Sequence, residues 1–187
     1  MTVKKVSKKK KNWYTILSPK EYGETEVGKT LSKDDKSIIN RIVEVTADEL
    51  VKKGSKDQKV KVKLRVESIK ETKAHTHVQE LKLSDSYLSR LVKKKSGKID
   101  AVMTLRTQDD KKIKLKVLLL TKSKLPRTKK ALIKKMLEEN SSNVVSDYKY
   151  AQLVYETILG KIQKAVKKDL HKIAVIRKVL ITKVRLL

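Results

Sequence analysis

The segment from Gly23 to Thr30, GETEVGKT, satisfies the spacing of a phosphate-binding loop, with Lys29 and Thr30 in the phosphate and magnesium positions. Such a loop cradles phosphates on backbone N–H groups, and it needs a buried strand before the first glycine and a helix opening at the lysine. Here Ser18, Pro19, Lys20, Glu21 and Tyr22 come first, and Leu31, Ser32, Lys33, Asp34 and Asp35 follow without an amphipathic pattern. Glu24 and Glu26 would place carboxylates where phosphates should sit, and no apolar strand ending in a metal-binding Asp follows. The segment is expected to be structural. His75 and His77 would share one face of a strand, but the chain has no cysteine and no carboxylate in a matching arrangement, so they are expected at the surface rather than on a metal. His171 is alone, and the scattered carboxylates form no acid and base pair. No catalytic residue, metal or cofactor is expected, and the chain is not read as an enzyme.

The basic residues carry a clearer signal. Lys111 to Lys135 holds eleven of them and no acid, and Lys161 to Leu187 holds nine against Asp169 alone. Residues 1 to 12 add six lysines without an apolar pattern, which describes a tail that orders on a partner. The candidate contacts are Lys8, Lys9, Lys10 and Lys11 in the tail, Lys29, then Lys124, Arg127, Lys129, Lys130 and Lys134, and finally Arg177, Lys178, Lys183 and Arg185. On a helix opening near Pro126, Arg127, Lys130 and Lys134 are expected to form a row opposite the apolar stripe. The stretch Glu21 to Leu50 reverses the balance, with eight acids against four basic residues, and is expected to point away from phosphates.

Across 187 residues there are 48 Lys and Arg against 21 Asp and Glu, a net charge of +27. Self-repulsion on that scale needs a polyanion, and nucleic acid supplies one whose condensed counterions are released on binding. An anionic membrane is the rival. It is disfavoured because no apolar run approaches the roughly 18 residues that span a bilayer, and the basic runs lack interleaved bulky apolar residues. The predominance of lysine favours contact with backbone and shape over base readout. The N-terminus has no apolar segment of a secretory signal, and the lack of cysteine fits a reducing compartment.

These residues must be positioned by a core of Val, Ile and Leu, since the chain has one Trp, six Tyr and no Phe. Residues 13 to 187 are expected as a single α+β domain. Val60, Val62, Leu64 and Val66 alternate with Lys59, Lys61, Lys63, Arg65 and Glu67 as a half-buried strand, whose phase at Ile69 requires a slip or a bulge. Arg41 to Thr46, His75 to Leu83, Ile99 to Thr107 and Ile113 to Thr121 are further strands, the last two a hairpin, and Ala174 to Leu186 is the final one. Ser84 or Ser86 caps a short helix over Tyr87 to Val92. A second helix follows Pro126, with Leu132, Ile133, Met136 and Leu137 inward. A third runs from a cap at Asn143 or Ser146, with Tyr148, Ala151, Tyr155, Ile158, Ile162, Ala165 and Val166 inward and Gly160 as a divider. Trp13 and Tyr14 are read as anchors of the domain edge, with stacking on a base as the other role open to Trp13. The order of elements predicts helices covering an antiparallel or mixed sheet, curled or barrel-like.

The chain resembles the archaeal and eukaryotic family of e-type small-subunit ribosomal protein one, also called S-three-A-e. The resemblance rests on KNWY at Lys11 to Tyr14 followed by Ser18-Pro19, VGKTL at Val27 to Leu31, RIVEV at Arg41 to Val45 and the hairpin around Thr107. RTKKALIKKM at Arg127 to Met136, LGKIQKA at Leu159 to Ala165 and IRKV at Ile176 to Val179 complete it. It implies a β-barrel-like core with packed helices, seated on the small-subunit platform near the messenger RNA exit. The implied partners are small-subunit ribosomal RNA, neighbouring platform proteins and messenger RNA near the exit. No cofactor is implied. The longer lysine-rich C-terminal extension of eukaryotic members is missing here, which suggests an archaeal source. A free, chromatin-like nucleic-acid-binding protein is the alternative function.

Overall fold

The computed structural model describes residues 11–51, 59–94, 96–171 and 173–187. Among them eight strands form one mixed sheet: β1 (Asn12–Leu17), β2 (Glu26–Ser32), β3 (Ile42–Thr46), β4 (Val60–Lys70), β5 (Lys73–Leu83), β6 (Gly97–Arg106), β7 (Lys112–Thr121) and β8 (Ile176–Leu186). Five α-helices accompany them: α1 (Ala47–Val51), α2 (Asp85–Leu91), α3 (Arg127–Ser146), α4 (Tyr150–Leu159) and α5 (Lys161–Leu170). The α+β class and the mixed sheet packed with helices are as expected. The sheet stays open rather than closing as a barrel, with β2, β3 and β6 at its edges.

Strand β5 is the hub. Its whole length pairs antiparallel with β4, while its other edge is divided, parallel to β1 at Lys73 to His75 and antiparallel to β8 at Glu80 to Lys82. The expected bulge lies in β4 between Val66 and Ser68, and it brings Ile69 opposite Ala74. The hairpin of β6 and β7 is closed by Thr107 N–H donating to the Lys111 carbonyl at 3.1 Å. At the start of β6 only glycine fits, since a Cβ on Gly97 would run into Thr121 Oγ1 and lie 2.9 Å from the Ser123 carbonyl. Two strands, β1 and β2, escape the sequence reading because β1 is only six residues long and β2 is interrupted by Gly28.

One face of the sheet is covered by helices. Ile99, Ala101, Leu115, Val117, Leu119 and Val184 pack there with Ile133 and Leu137 of α3, Leu153 and Val154 of α4, and Ile162 and Val166 of α5. On the other face Leu83, Leu118, Leu120 and Leu180 are covered by Leu88 and Leu91 of α2. A third cluster joins Tyr14 and Ile16 to Ile38, Val66 and Ala74. Tyr14 is therefore the anchor, its hydroxyl donating to Asp35 Oδ1 at 2.5 Å, while Trp13 is 62% exposed and anchors nothing. The period of two explains it, because neighbouring strand residues leave by opposite faces.

Two helix expectations need correction. Helix α3 runs through Asn143 and Ser146 instead of leaving one of them as the next cap. Its buried stripe is Ile133, Leu137, Ser141 and Val145, at steps of four, and packing on that stripe outweighs the weak propensity of the polar run between Asn140 and Asn143. Leu132, expected inward, is exposed. In α4 the buried face is Tyr150, Leu153, Val154 and Thr157, whereas Ala151, Tyr155 and Ile158, and Tyr148 just before the helix, are only half-buried. The sequence YAQLVYETIL offers two apolar stripes, and periodicity cannot choose between them. Gly160 does divide the segment, at φ +75. Replacing Leu153 by Ala should therefore cost about 2–5 kcal/mol, and Ile158→Ala distinctly less, in urea denaturation at fixed salt. A larger loss for Ile158→Ala would contradict the orientation of α4.

Candidate nucleic-acid interface

The phosphate-loop pattern forms no loop. Gly23 ends a 3-10 turn at Lys20–Tyr22 in the left-handed region, and Val27 to Thr30 run extended within β2, with Lys29 opposite Thr15 and Thr30 opposite Tyr14. No helix opens at Lys29, whose ammonium lies 3.5 Å from Glu26. Thr30 Oγ1 accepts from Arg41. The two strand histidines each face a separate carboxylate, His75 Nδ1 at 3.5 Å from Glu24 and His77 Nδ1 at 3.7 Å from Glu67. Burial lowers the pKa of His77, with Glu67 acting in the opposite direction.

The register of the sheet gathers cations on the face turned away from α3, α4 and α5. Lys61 of β4 lies opposite Lys82 of β5, Lys82 opposite Lys183 of β8, and Lys183 opposite Lys116 of β7. Four lysines thus stand abreast across four adjacent strands. The neighbouring row runs Lys63, Glu80, Arg185 and Lys114, and Lys112 opposite Arg106 extends the face. Like charges directly opposite are destabilising by roughly 0.2–1 kcal/mol per pair, so this arrangement is one that a free sheet disfavours.

A single buried acid holds the middle. Glu80 is 6% exposed and sits 3.0 Å from Lys183, with Lys63 and Arg185 each at 3.9 Å. At the rim Glu44 binds Lys61 at 2.7 Å and Asp85 binds Lys82 at 2.6 Å. Those hydrogen bonds hold both carboxyls below their usual range and raise the Lys82 ammonium. Arg106, Lys112, Lys114 and Lys116 are exposed and form no ion pair among the described residues. Beside α2 the face sinks into a groove of about 360 Å³, lined by Lys82, Lys98, Lys116 and Lys183, by Asp85 and Asp100, and by Leu88 and Leu118. Tyr87 of α2 carries Lys59 and Lys178 over its ring at 5.0 and 5.3 Å, and Lys178 also donates to its hydroxyl at 2.7 Å.

The expected contacts fall in several places. Lys183 and Arg185 are on this face and Lys178 is beside it, while Arg177 is exposed elsewhere on β8. Lys11 and Lys29 are exposed on β1's approach and on β2, and Lys8, Lys9 and Lys10 lie outside the described residues. Asn12, counted with the tail, already pairs with Ser32 in β1. Lys124, Arg127, Lys129 and Lys134 are exposed around the start of α3, whose inner stripe packs on the helix-covered face, so they do not join Lys183 and Arg185. The expected row of Arg127, Lys130 and Lys134 opposite that stripe is corrected: Lys130 is half-buried and falls in line with Ile133 and Leu137, at steps of three and four.

Lys61, Lys63, Lys82, Lys112, Lys114 and Lys116 join the face without having been expected on it. Alternation marks each as the polar side of its strand, but only the pairing of β4, β5, β8 and β7 shows that they share one surface.

The model of the ribosomal S3Ae family matches residues 2–187. Small ribosomal subunit protein eS1 of Methanothermobacter thermautotrophicus is 30% identical over 96% of this chain and 91% of its own length. The protein of that name from Sulfurisphaera tokodaii is 32% identical over 96% of this chain and 92% of its own, and that from Haloquadratum walsbyi is 27% identical over 100% and 88%. These relatives are archaeal, in line with the expected source. By a match that spans nearly its whole length, the chain belongs to the ribosomal S3Ae family.

Proposed function

We propose that this protein is a structural constituent of the small ribosomal subunit, without catalytic activity, and that it holds ribosomal RNA against the cationic face of its sheet. The row Lys61, Lys82, Lys183 and Lys116 carries this reading. Its repulsion weakens the free fold, and phosphates laid across it turn each unfavourable pair into attraction while releasing counterions. The lysine-rich surface suits RNA backbone and shape rather than base edges.

The exposed Arg127, Lys129 and Lys134, with Lys124, form a second contact on the opposite side of the molecule. Contacts on two sides suit a scaffold embedded in folded RNA. The finer reading places the protein on the platform near the messenger RNA exit, beside neighbouring platform proteins and within reach of messenger RNA. Apart from Lys29 and Leu31 on β2, the acidic stretch from Glu21 to Leu50 then turns toward protein or solvent.

Sedimentation tests the main reading. The protein should travel with the small subunit through a gradient at moderate salt; release from it would favour a free, chromatin-like protein. The sheet face has its own test, because Lys112, Lys114 and Lys116 can be neutralised without stripping a partner from any carboxylate. Replacing all three by Gln should leave the fold intact and lower the log-log salt slope of RNA binding by about 0.7–0.9 for each phosphate that is no longer neutralised. An unchanged slope would remove phosphate from this face. The melting temperature of the free wild-type protein should also rise as salt screens the cationic rows, more than that of the triple variant. Equal salt responses would mean that these lysines do not strain the free sheet.

A further inference from the structure

The outer side of the first hairpin displays an aromatic ring that the cationic rows do not use. Tyr14 and Ile16 turn inward to Ile38, Val66 and Ala74, and the Tyr14 hydroxyl is tied to Asp35. Strand alternation then fixes Trp13 outward, directly opposite Leu31 of β2. Trp13 is 62% exposed and Leu31 38% exposed. Together they make a small apolar platform on a rigid pair of strands. At the next position on the same side Thr15 faces Lys29, which is exposed though 3.5 Å from Glu26. Lys11 is also exposed, two residues before Trp13, and Lys8, Lys9 and Lys10 precede it in the chain.

We propose that Trp13 is a stacking platform for an unpaired RNA base, with Leu31 beside it and Lys11 and Lys29 receiving the flanking phosphates. This deepens the reading of the protein as an RNA binder and rests on it. An indole face takes any base, and cations close to it suit the phosphates on either side of that base. Paired RNA keeps its bases stacked inside the helix, so the platform selects a single-stranded, bulged or terminal nucleotide. A protein partner would find apolar contact here as well, but lysines to either side of the ring complement a polyanion rather than the basic surfaces of a chain such as this one.

Trp13 is the chain's only tryptophan, so emission excited at the long-wavelength edge, where the six tyrosines do not absorb, reports on this platform alone. The full-length protein would be titrated with single-stranded oligoadenylate of about 12 nucleotides, within the usual site size of single-strand binders, and with an RNA duplex of the same length. The single strand should quench the emission, and the duplex should bind with much less quenching. Trp13→Ala should weaken single-strand binding by about 5- to 150-fold, the range expected when one base stack is removed, and leave duplex binding nearly unchanged. Trp13→Phe, which keeps a stacking face, should recover most of the loss. Melting curves check that both variants fold, as expected for an exposed position. Salt-dependent binding of both RNAs without quenching, or an equal loss on both RNAs in Trp13→Ala, would overturn the platform while leaving the RNA reading in place. No salt-dependent binding of either RNA would overturn both. Emission that changes only when another small-subunit protein is added would assign the platform to protein and also overturn the proposal.

Discussion

A strand sends successive side chains to opposite faces, and in this molecule strand β5 carries that rule along its length, with one register shift at Gln79 that resets the phase so that Val78 and Leu81 both turn to the core. It is paired along one edge with β4, while β1 and β8 divide its other edge. The registers of these pairings decide where every alternating strand puts its charge. Leu81 aligns with Val62 and Val184, and Lys82 aligns with Lys61 and Lys183. A slip of one residue between β5 and β8 would bring lysine toward the helices and valine to the surface. The apolar core and the cationic face are therefore two consequences of one pairing scheme. Glu80 belongs to the same scheme, since its place opposite Lys63 and Arg185 puts the buried acid beneath the cations.

The two sides of the sheet have opposite energetics. On the helix side, Ile99, Leu115, Leu119, Ile133 and Leu137 leave water, and each buried side chain of this size contributes about 1.5–3 kcal/mol before the entropy of ordering it is counted. On the other side, the lysine rows repel, and Glu80, Glu44 and Asp85 offset them in part. Isolated surface ion pairs contribute little, so the rim carboxylates steady individual lysines without neutralising the face. Stability is thus supplied on one side and sacrificed on the other, where a polyanion can use it. On the first hairpin, Trp13 leaves by the side opposite Tyr14, and the same alternation explains why the larger aromatic is exposed and the smaller buried.

Much of this was legible in the sequence. Alternation in Val60 to Val66 and Ile113 to Thr121 gave the strands and their polar sides, the phase change at Ile69 gave the bulge, and Gly160 gave the break between α4 and α5. The surroundings of Gly23 and Lys29 were enough to reject a nucleotide loop. Other features depend on residues distant in the chain. Which apolar stripe of α4 meets the core is decided by β5 and the hairpin of β6 and β7, not by spacing within Tyr150 to Leu159. Lys130 looks free because its neighbours are basic, yet the turn of α3 sets it in line with Ile133. The basic face itself combines Lys61, Lys82, Lys116 and Lys183 from four separate segments, and no window of sequence contains it.

If the outer face of the sheet lies against RNA, the reactivity of its individual amines must change when the subunit assembles. Lysine acetylation would be mapped by mass spectrometry on the free protein, on intact small subunits and on subunits whose RNA has been digested. Lys112, Lys114 and Lys116, open in the free protein, should become protected in the subunit and be reactive again after digestion. Equal reactivity of these three lysines in the free protein and the intact subunit would contradict the placement of RNA on this face.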